Sequence, residues 1–300
     1  MIVSNEMTIG TNYPHRRRTA LIQPYFGCFP RWINLYFKTC SAQQDFQWLV
    51  FTDQDPAAWS GRYDNISFTR LTLDDFFARA REMTGCNARG PCHPKKVCDF
   101  RPLFGKIFSN ELRDYEFWGH VDHDLFVGRL GTFLQPHLDA NDVLSTHHSR
   151  IAGPLTVYRN IEVVNNLFRT IPNWTAVLMD TERQHYCEEE HFSRAVHQAS
   201  AAGQIRACFA VGPTAHDGSP FKCVYNEGRV LREQTTWGRA AELAKCAANK
   251  LSRGRIDFWP IPMEFIYFHF RLWKSDSLRY DFDETRVTGW RIGTSGISVL

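Results

Sequence analysis

The sequence predicts an α/β fold: one domain with a mostly parallel central sheet flanked by helices, and a mixed C-terminal half. Three observations carry this. From Thr19 onward, short apolar runs alternate with segments whose apolar residues recur at helical spacing. The first runs, TALIQPYF and FQWLVFTD, are almost continuously apolar, as strands covered on both faces must be. The chain has 300 residues, 43% of them hydrophobic and 22% charged, enough to bury a large core without disulfides or a structural metal.

Residues 1–18 are polar and aperiodic and read as a flexible tail. TALIQPYF is the first strand and stops at Gly27 and Pro30; Trp32, Leu35, Tyr36 and Thr39 then mark a helix over 31–41. Residues 46–53 form the second strand and 65–71 the third. Thr72, with Asp75 three residues on, is an N-cap pattern, and Leu73, Phe76, Phe77 and Ala80 supply the buried stripe of the next helix. Residues 97–112 read as a helix interrupted at Pro102, and EFWGHVDHDLFV as a strand running into a turn. A short helix over 131–138, strands at DVLSTHH and GPLTVYRN, and a helix over 161–170 follow. Helices are expected over 189–201 and 240–250, and the aromatic segment 258–274 reads as strand. The domain therefore spans 19–275, with 276–300 a C-terminal extension packed on it.

Lys+Arg 35 against Asp+Glu 32 leaves a net charge of +3, too small for a nucleic-acid or membrane-surface footprint. No apolar run reaches the ~18 residues of a membrane span, and the N-terminus has no apolar core before Arg16-Arg17-Arg18, so a cytoplasmic protein is expected. The nine cysteines are scattered and odd in number, which fits reduced thiols. Cys86, Cys92 and Cys98 share a Gly/Pro-rich stretch but lack the C-x2-C knuckle typical of structural zinc.

Four clusters could carry chemistry. In Asp122-His123-Asp124, carboxylates two apart on an extended segment point the same way and can share a hard divalent cation. Eighteen aspartates make about one such triplet by chance, and Asp53-Gln54-Asp55 and Asp281-Phe282-Asp283 are two more. Only the middle one ends an interior apolar strand, where α/β sheets place ligands; the bland alternative is a polar turn. Asp99 and Arg101, at a helix start, could hold a ribose hydroxyl and a phosphate, or act as a cap and a solvated cation. His269 alternates with Phe268 and Phe270 and so faces away from both, sharing its side with Arg271 and near Lys274. In Cys187-Glu188-Glu189-Glu190-His191, acids at a helix start are favoured by the macrodipole alone, but one could be a general base.

Taken together, KKVCDFRPLFGKIFSNELRDYEFWGHVDHDLFVGRL resembles the core of nucleotide-sugar glycosyltransferases of the GT-A fold, a Rossmann-type architecture. It is most similar to a group of bacterial-type GT-A-like proteins with the pattern K-x-C-D-F-R-P followed by F-W-G-x-x-D-x-D. ALIQPYFGCFPRWINLYFKTC looks like their opening strand and helix, and FHFRLWK like their closing H-F-x-x-W-K, so the resemblance runs in order over about 19–275. It implies a metal-dependent transferase that moves a sugar from a nucleoside diphosphate, a UDP-sugar first, to a carbohydrate-type acceptor. It further implies that Asp122 and Asp124 bind Mn²⁺ or Mg²⁺, with His269 completing the shell. Asp99 and Arg101 would contact the nucleoside and phosphate side, and Lys274 and Arg271 would neutralise phosphate. Glu189, or Glu188 one place earlier, would face the acceptor as the catalytic carboxylate.

Two other readings stand beside it. A metal-dependent phosphodiesterase or nucleotidyltransferase could use the same aspartates, but needs a second metal and a further carboxylate, for which Glu116 is the near candidate. A non-catalytic GT-A-like protein would bind sugar nucleotide without turnover.

Overall fold

The computed structural model describes residues 19–86, 93–180, 183–219, 221–233, 263–272, 278–293 and 296–300. The first apolar runs become adjacent parallel strands: β1 (Thr19–Tyr25), β2 (Phe46–Thr52) and β3 (Ile66–Arg70). Side chains alternate across the sheet, so Leu21 joins one apolar cluster while Ala20 and Ile22 join another on the opposite face. Helix α1 (Ile33–Ser41) crosses between β1 and β2 and buries Leu35, Tyr36 and Phe37 in the first cluster. Helix α2 (Leu73–Thr84) places Phe76, Phe77 and Ala80 in the second. The Thr72 hydroxyl accepts the Asp75 amide at 3.1 Å, and Gly85 ends the helix in the left-handed region at φ +72°.

The helix expected over 97–112 is replaced by a 3-10 run, Pro94–Leu103, and a single turn α3 (Phe104–Ile107). Pro102 has no N–H to give and would strike the carbonyl four residues back in a continuous α-helix. Gly105 in α3 lies so close to Trp118 that an added Cβ would sit 2.8 Å from the indole.

Strand β4 (Phe117–Val121), wholly buried, runs parallel to β1 and delivers Asp122-His123-Asp124 at its carboxyl end before β5 (Leu125–Val127). After α4 (Leu130–Leu138) come β6 (Val143–Ser145) and β7 (Leu155–Arg159). Two further short helices, α5 (Glu162–Asn165) and α6 (Trp174–Met179), are separated by a 3-10 turn. A π-helical turn, Glu188–Phe192, leads into α7 (Ser193–Ala201), and β8 (Ala207–Cys208) completes the sheet. Its order is β3-β2-β1-β4-β7-β6-β8, with only β7 antiparallel to its neighbours.

The C-terminal half is mixed, as expected. Strands β9 (Thr214–His216), β10 (Cys223–Asn226), β11 (Arg229–Arg232), β12 (Glu264–Phe265), β13 (Tyr267–His269), β14 (Gly289–Gly293) and β15 (Gly296–Val299) build two small sheets. One is five-stranded, β12-β11-β10-β14-β15, and the other is β5-β13-β9. Leu278, together with Trp290 and Ile292 of β14 and Ile297 of β15, is buried in the first cluster, Trp290 fully. The helix expected over 240–250 lies outside the described residues, within which no helix is long and apolar enough to cross a membrane.

Candidate active site

Asp122 and Asp124 are held from two sides. The Asp122 amide donates to the Pro154 carbonyl at 2.9 Å, ahead of β7, and the Phe270 amide donates to the Asp124 carbonyl at 3.1 Å. The period of two sends the middle residue elsewhere: His123 stacks parallel to Trp32 at 5.6 Å and meets Tyr25 edge-on at 4.6 Å. Strand β13 pairs antiparallel with β5 in the register His269↔Leu125, which brings the imidazole to the dyad. Buried Leu125, Phe268 and Phe270 anchor that register. Asp122, Asp124 and His269 each offer a ligand atom within 4.8 Å of the others, and His269 Nε2 is 3.5 Å from Asp124 Oδ1. They are the one such group among the described residues.

Arg101 organises the other flank. Its guanidinium bonds to Asp122 Oδ1, to Glu188 Oε1 at 2.7 Å and to the Gly153 carbonyl at 3.1 Å. A Cβ at Gly153 would stand 2.7 Å from Glu189 Oε1 and 3.2 Å from the guanidinium, so the backbone approaches as only glycine can. Glu188 is 1% exposed, and its Oε2 has no hydrogen-bond partner among the described residues. Burial pushes its carboxyl up to about 7, outweighing Arg101, which pulls the other way. Glu189, half-buried, faces the cleft and pairs with Arg150 at 3.3 Å. The two registers left open by the sequence are thus physically different groups that both line the cleft: Glu188 is a buried partner of Arg101, and Glu189 is a half-buried partner of Arg150.

These residues line a cleft of about 880 Å³, and Arg271, exposed, also lines it. A hollow of about 380 Å³ adjoins it across Asp122, walled by Tyr25, Phe26 and His120 at the carboxyl ends of β1 and β4 and by Lys95 of the 3-10 run. Burial there pushes the His120 imidazole down to about 3.

Asp99 departs from its expected position. It is completely buried, its carboxylate accepting Lys96 Nζ at 2.8 Å, the His185 amide at 2.9 Å and the Cys187 amide at 3.0 Å, and it lines neither cavity. The 3-10 run turns it inward where a regular helix start would have left it a cap. Glu116 stands at the start of β4, roughly 20 Å along the strand from Asp122, and does not reach the dyad. The other triplets are turns: Asp53 receives the Gly27 amide at 2.9 Å, Asp55 caps a 3-10 turn, and Asp283 holds the Thr285 amide at 2.9 Å. Lys274 and Cys92 lie outside the described residues. Lys95, Arg150 and Tyr186 in the cleft wall were not legible as site residues, because no local spacing distinguishes them from solvated side chains.

Among solved structures, mouse xyloside xylosyltransferase 1 in its apo form resembles the chain at a TM-score of 0.41 and 8% sequence identity, covering 85% of this chain and 98% of that one. No curated protein matches the sequence. Residues 21–286, most of the chain, match the family of unknown function DUF6625, and the protein belongs to that family.

Proposed function

We propose that the protein is a metal-dependent glycosyltransferase of GT-A-like architecture, moving a sugar from a nucleoside-diphosphate donor, a UDP-sugar first, to a carbohydrate-type acceptor. The observation that carries this is the convergence of Asp122, Asp124 and His269 at the carboxyl end of a central strand. Two carboxylates and one imidazole are a donor set suited to Mn²⁺ or Mg²⁺. Such an ion would supply positive charge for the departing diphosphate.

The chain's own residues supply the rest. Arg101, fixed by Glu188 and Gly153, holds the Asp122 carboxylate in one orientation. Arg271 and Lys95, exposed cations in the cleft wall, are assigned to donate to phosphate oxygens; Lys274, three residues beyond Arg271, is assigned the same task from the sequence resemblance. The hollow beside Tyr25 and Phe26 has an aromatic wall suited to a nucleoside. Glu189, in the cleft wall, is the carboxylate assigned to the acceptor hydroxyl. The nucleotidyltransferase alternative is disfavoured because Glu116 sits at the wrong end of β4.

The test is a melting-temperature screen of UDP, GDP, CDP and ADP, each with and without Mn²⁺. One of them should stabilise the protein only with Mn²⁺, by about 2.7 kcal/mol at a hundredfold excess over Kd. Asp124→Asn should abolish that shift while melting within a few degrees of wild type. The reading fails if no diphosphate shifts the protein, or if the variant responds as wild type does. Release of the diphosphate from the matching sugar donor then separates a transferase from a non-catalytic binder.

A further inference from the structure

Tyr186 is both exposed and conformationally unusual. The residue is 54% exposed, and its φ of +51° lies in the left-handed region that residues other than glycine seldom adopt. The surroundings account for the backbone. The buried Asp99 carboxylate receives the amides of His185 and Cys187, on either side of Tyr186, at 2.9 and 3.0 Å. Lys96 Nζ, paired with Asp99, also donates to the carbonyls of Val177 at 2.7 Å and Arg183 at 3.2 Å. Immediately afterwards the chain enters the core at Cys187 and Glu188, both 1% exposed. A buried ion pair thus grips the loop around one residue and leaves its ring outside.

That ring lines the cleft containing Asp122, Asp124 and His269 but not the hollow beside Tyr25. The Tyr186 carbonyl accepts the amides of Glu189 and Glu190, both at 3.1 Å, so its position relative to the Glu189 carboxylate is set by the same turn. A half-exposed ring adds little to the core, and glycine would satisfy this backbone without strain.

We propose that Tyr186 is the platform on which the acceptor saccharide lies, the C–H face of a pyranose ring packing on the tyrosine ring and a hydroxyl directed to Glu189. This rests on the glycosyltransferase reading. The chemistry favours a neutral sugar: a rigid aromatic face gives apolar contact at small entropic cost, while Glu189 and Gln184, also in the cleft wall, suit hydroxyl donors. Lys96 and Asp99 are positioning residues that present the ring without touching the ligand.

The experiment is saturation-transfer NMR on the full chain with Mn²⁺ and UDP, using methyl β-glucopyranoside, methyl β-galactopyranoside, methyl α-mannopyranoside and methyl β-xylopyranoside as probes, with open-chain glucitol as control. Wild type should saturate the C–H protons on one face of at least one glycoside and leave glucitol unsaturated. Tyr186→Phe should retain this; Tyr186→Ala and Tyr186→Gly should weaken binding about tenfold or more. The glycine variant should melt at or above the wild-type temperature, which excludes unfolding as the cause. The platform is overturned if the alanine variant binds like wild type, if no glycoside is saturated by wild type, or if glucitol behaves as the glycosides do. Failure of Mn²⁺-dependent nucleotide binding with Tyr186-dependent glycoside binding intact would instead remove the transferase reading and leave the saccharide platform standing.

Discussion

Replacing Asp99 by asparagine tests whether this residue is a buried clamp or a ligand contact. Lys96 and Asp99 side chains are 4% and 0% exposed and 2.8 Å apart. Asparagine keeps an oxygen for the His185 and Cys187 amides but leaves the Lys96 ammonium buried without a counter-charge. Breaking a buried pair from one side costs about 3–5 kcal/mol. Lys96 keeps the Val177 and Arg183 carbonyls, which pulls the expectation to about 3 kcal/mol at the lower end of that range. Against a total stability of about 5–15 kcal/mol, that is a large fraction. Urea unfolding should show the midpoint falling with the slope unchanged. Lys96→Met should also destabilise, and the double variant should lose at least about 1 kcal/mol less than the sum of the singles, because the two charges are in direct contact. The folded Asp99→Asn protein should bind Mn²⁺–nucleotide within about threefold of wild type, since Asp99 faces neither cavity. A stability loss under about 1 kcal/mol, strict additivity, or a large affinity loss in a fully folded variant would refute the clamp.

Two further outcomes follow from the same geometry. His269→Ala should weaken Mn²⁺ dependence about 10–100-fold with little change in melting temperature, as expected for an impaired metal shell; a drop of about 1–3 kcal/mol with unchanged Mn²⁺ titration would make it a core histidine. Glu188 carries a folded-state pKa raised from 4.5 to about 7, so the native state holds its proton longer than the unfolded chain. The penalty of the buried carboxylate is absent below about pH 4.5, grows through pH 7 and is complete above it, about 3 kcal/mol. Glu188→Gln should therefore gain on wild type as pH rises from about 4.5 to 8, and equal pH profiles from urea melts would contradict the assignment.

Much of the architecture was legible because it is written in short-range patterns. The Thr72–Asp75 cap and the stripe Phe76, Phe77, Ala80 define α2 within a dozen residues. The nearly continuous apolar runs at β1 and β2 announce strands covered on both sides, and the end of β4 selects Asp122-His123-Asp124 over two triplets that lie in turns. Each of these depends on residues within a few positions of one another, where periodicity and backbone stereochemistry act directly. Tertiary structure decided the rest. Phe268 and Phe270 announced that His269 faces the other way, but only the pairing of β13 with β5 set it beside Asp124, about 145 residues away. The acidic run at 187–191 gave no means of separating its members until the fold buried Glu188 against Arg101 and left Glu189 half-buried beside Arg150. Asp99 and Tyr186 are the clearest cases. A soluble-looking Lys-x-x-Asp spacing becomes a buried ion pair, and an ordinary tyrosine is held at positive φ, only because segments more than 80 residues apart close over the same carboxylate. Burial and register are set by which distant surfaces exclude water together, and that information resides in the packed chain as a whole.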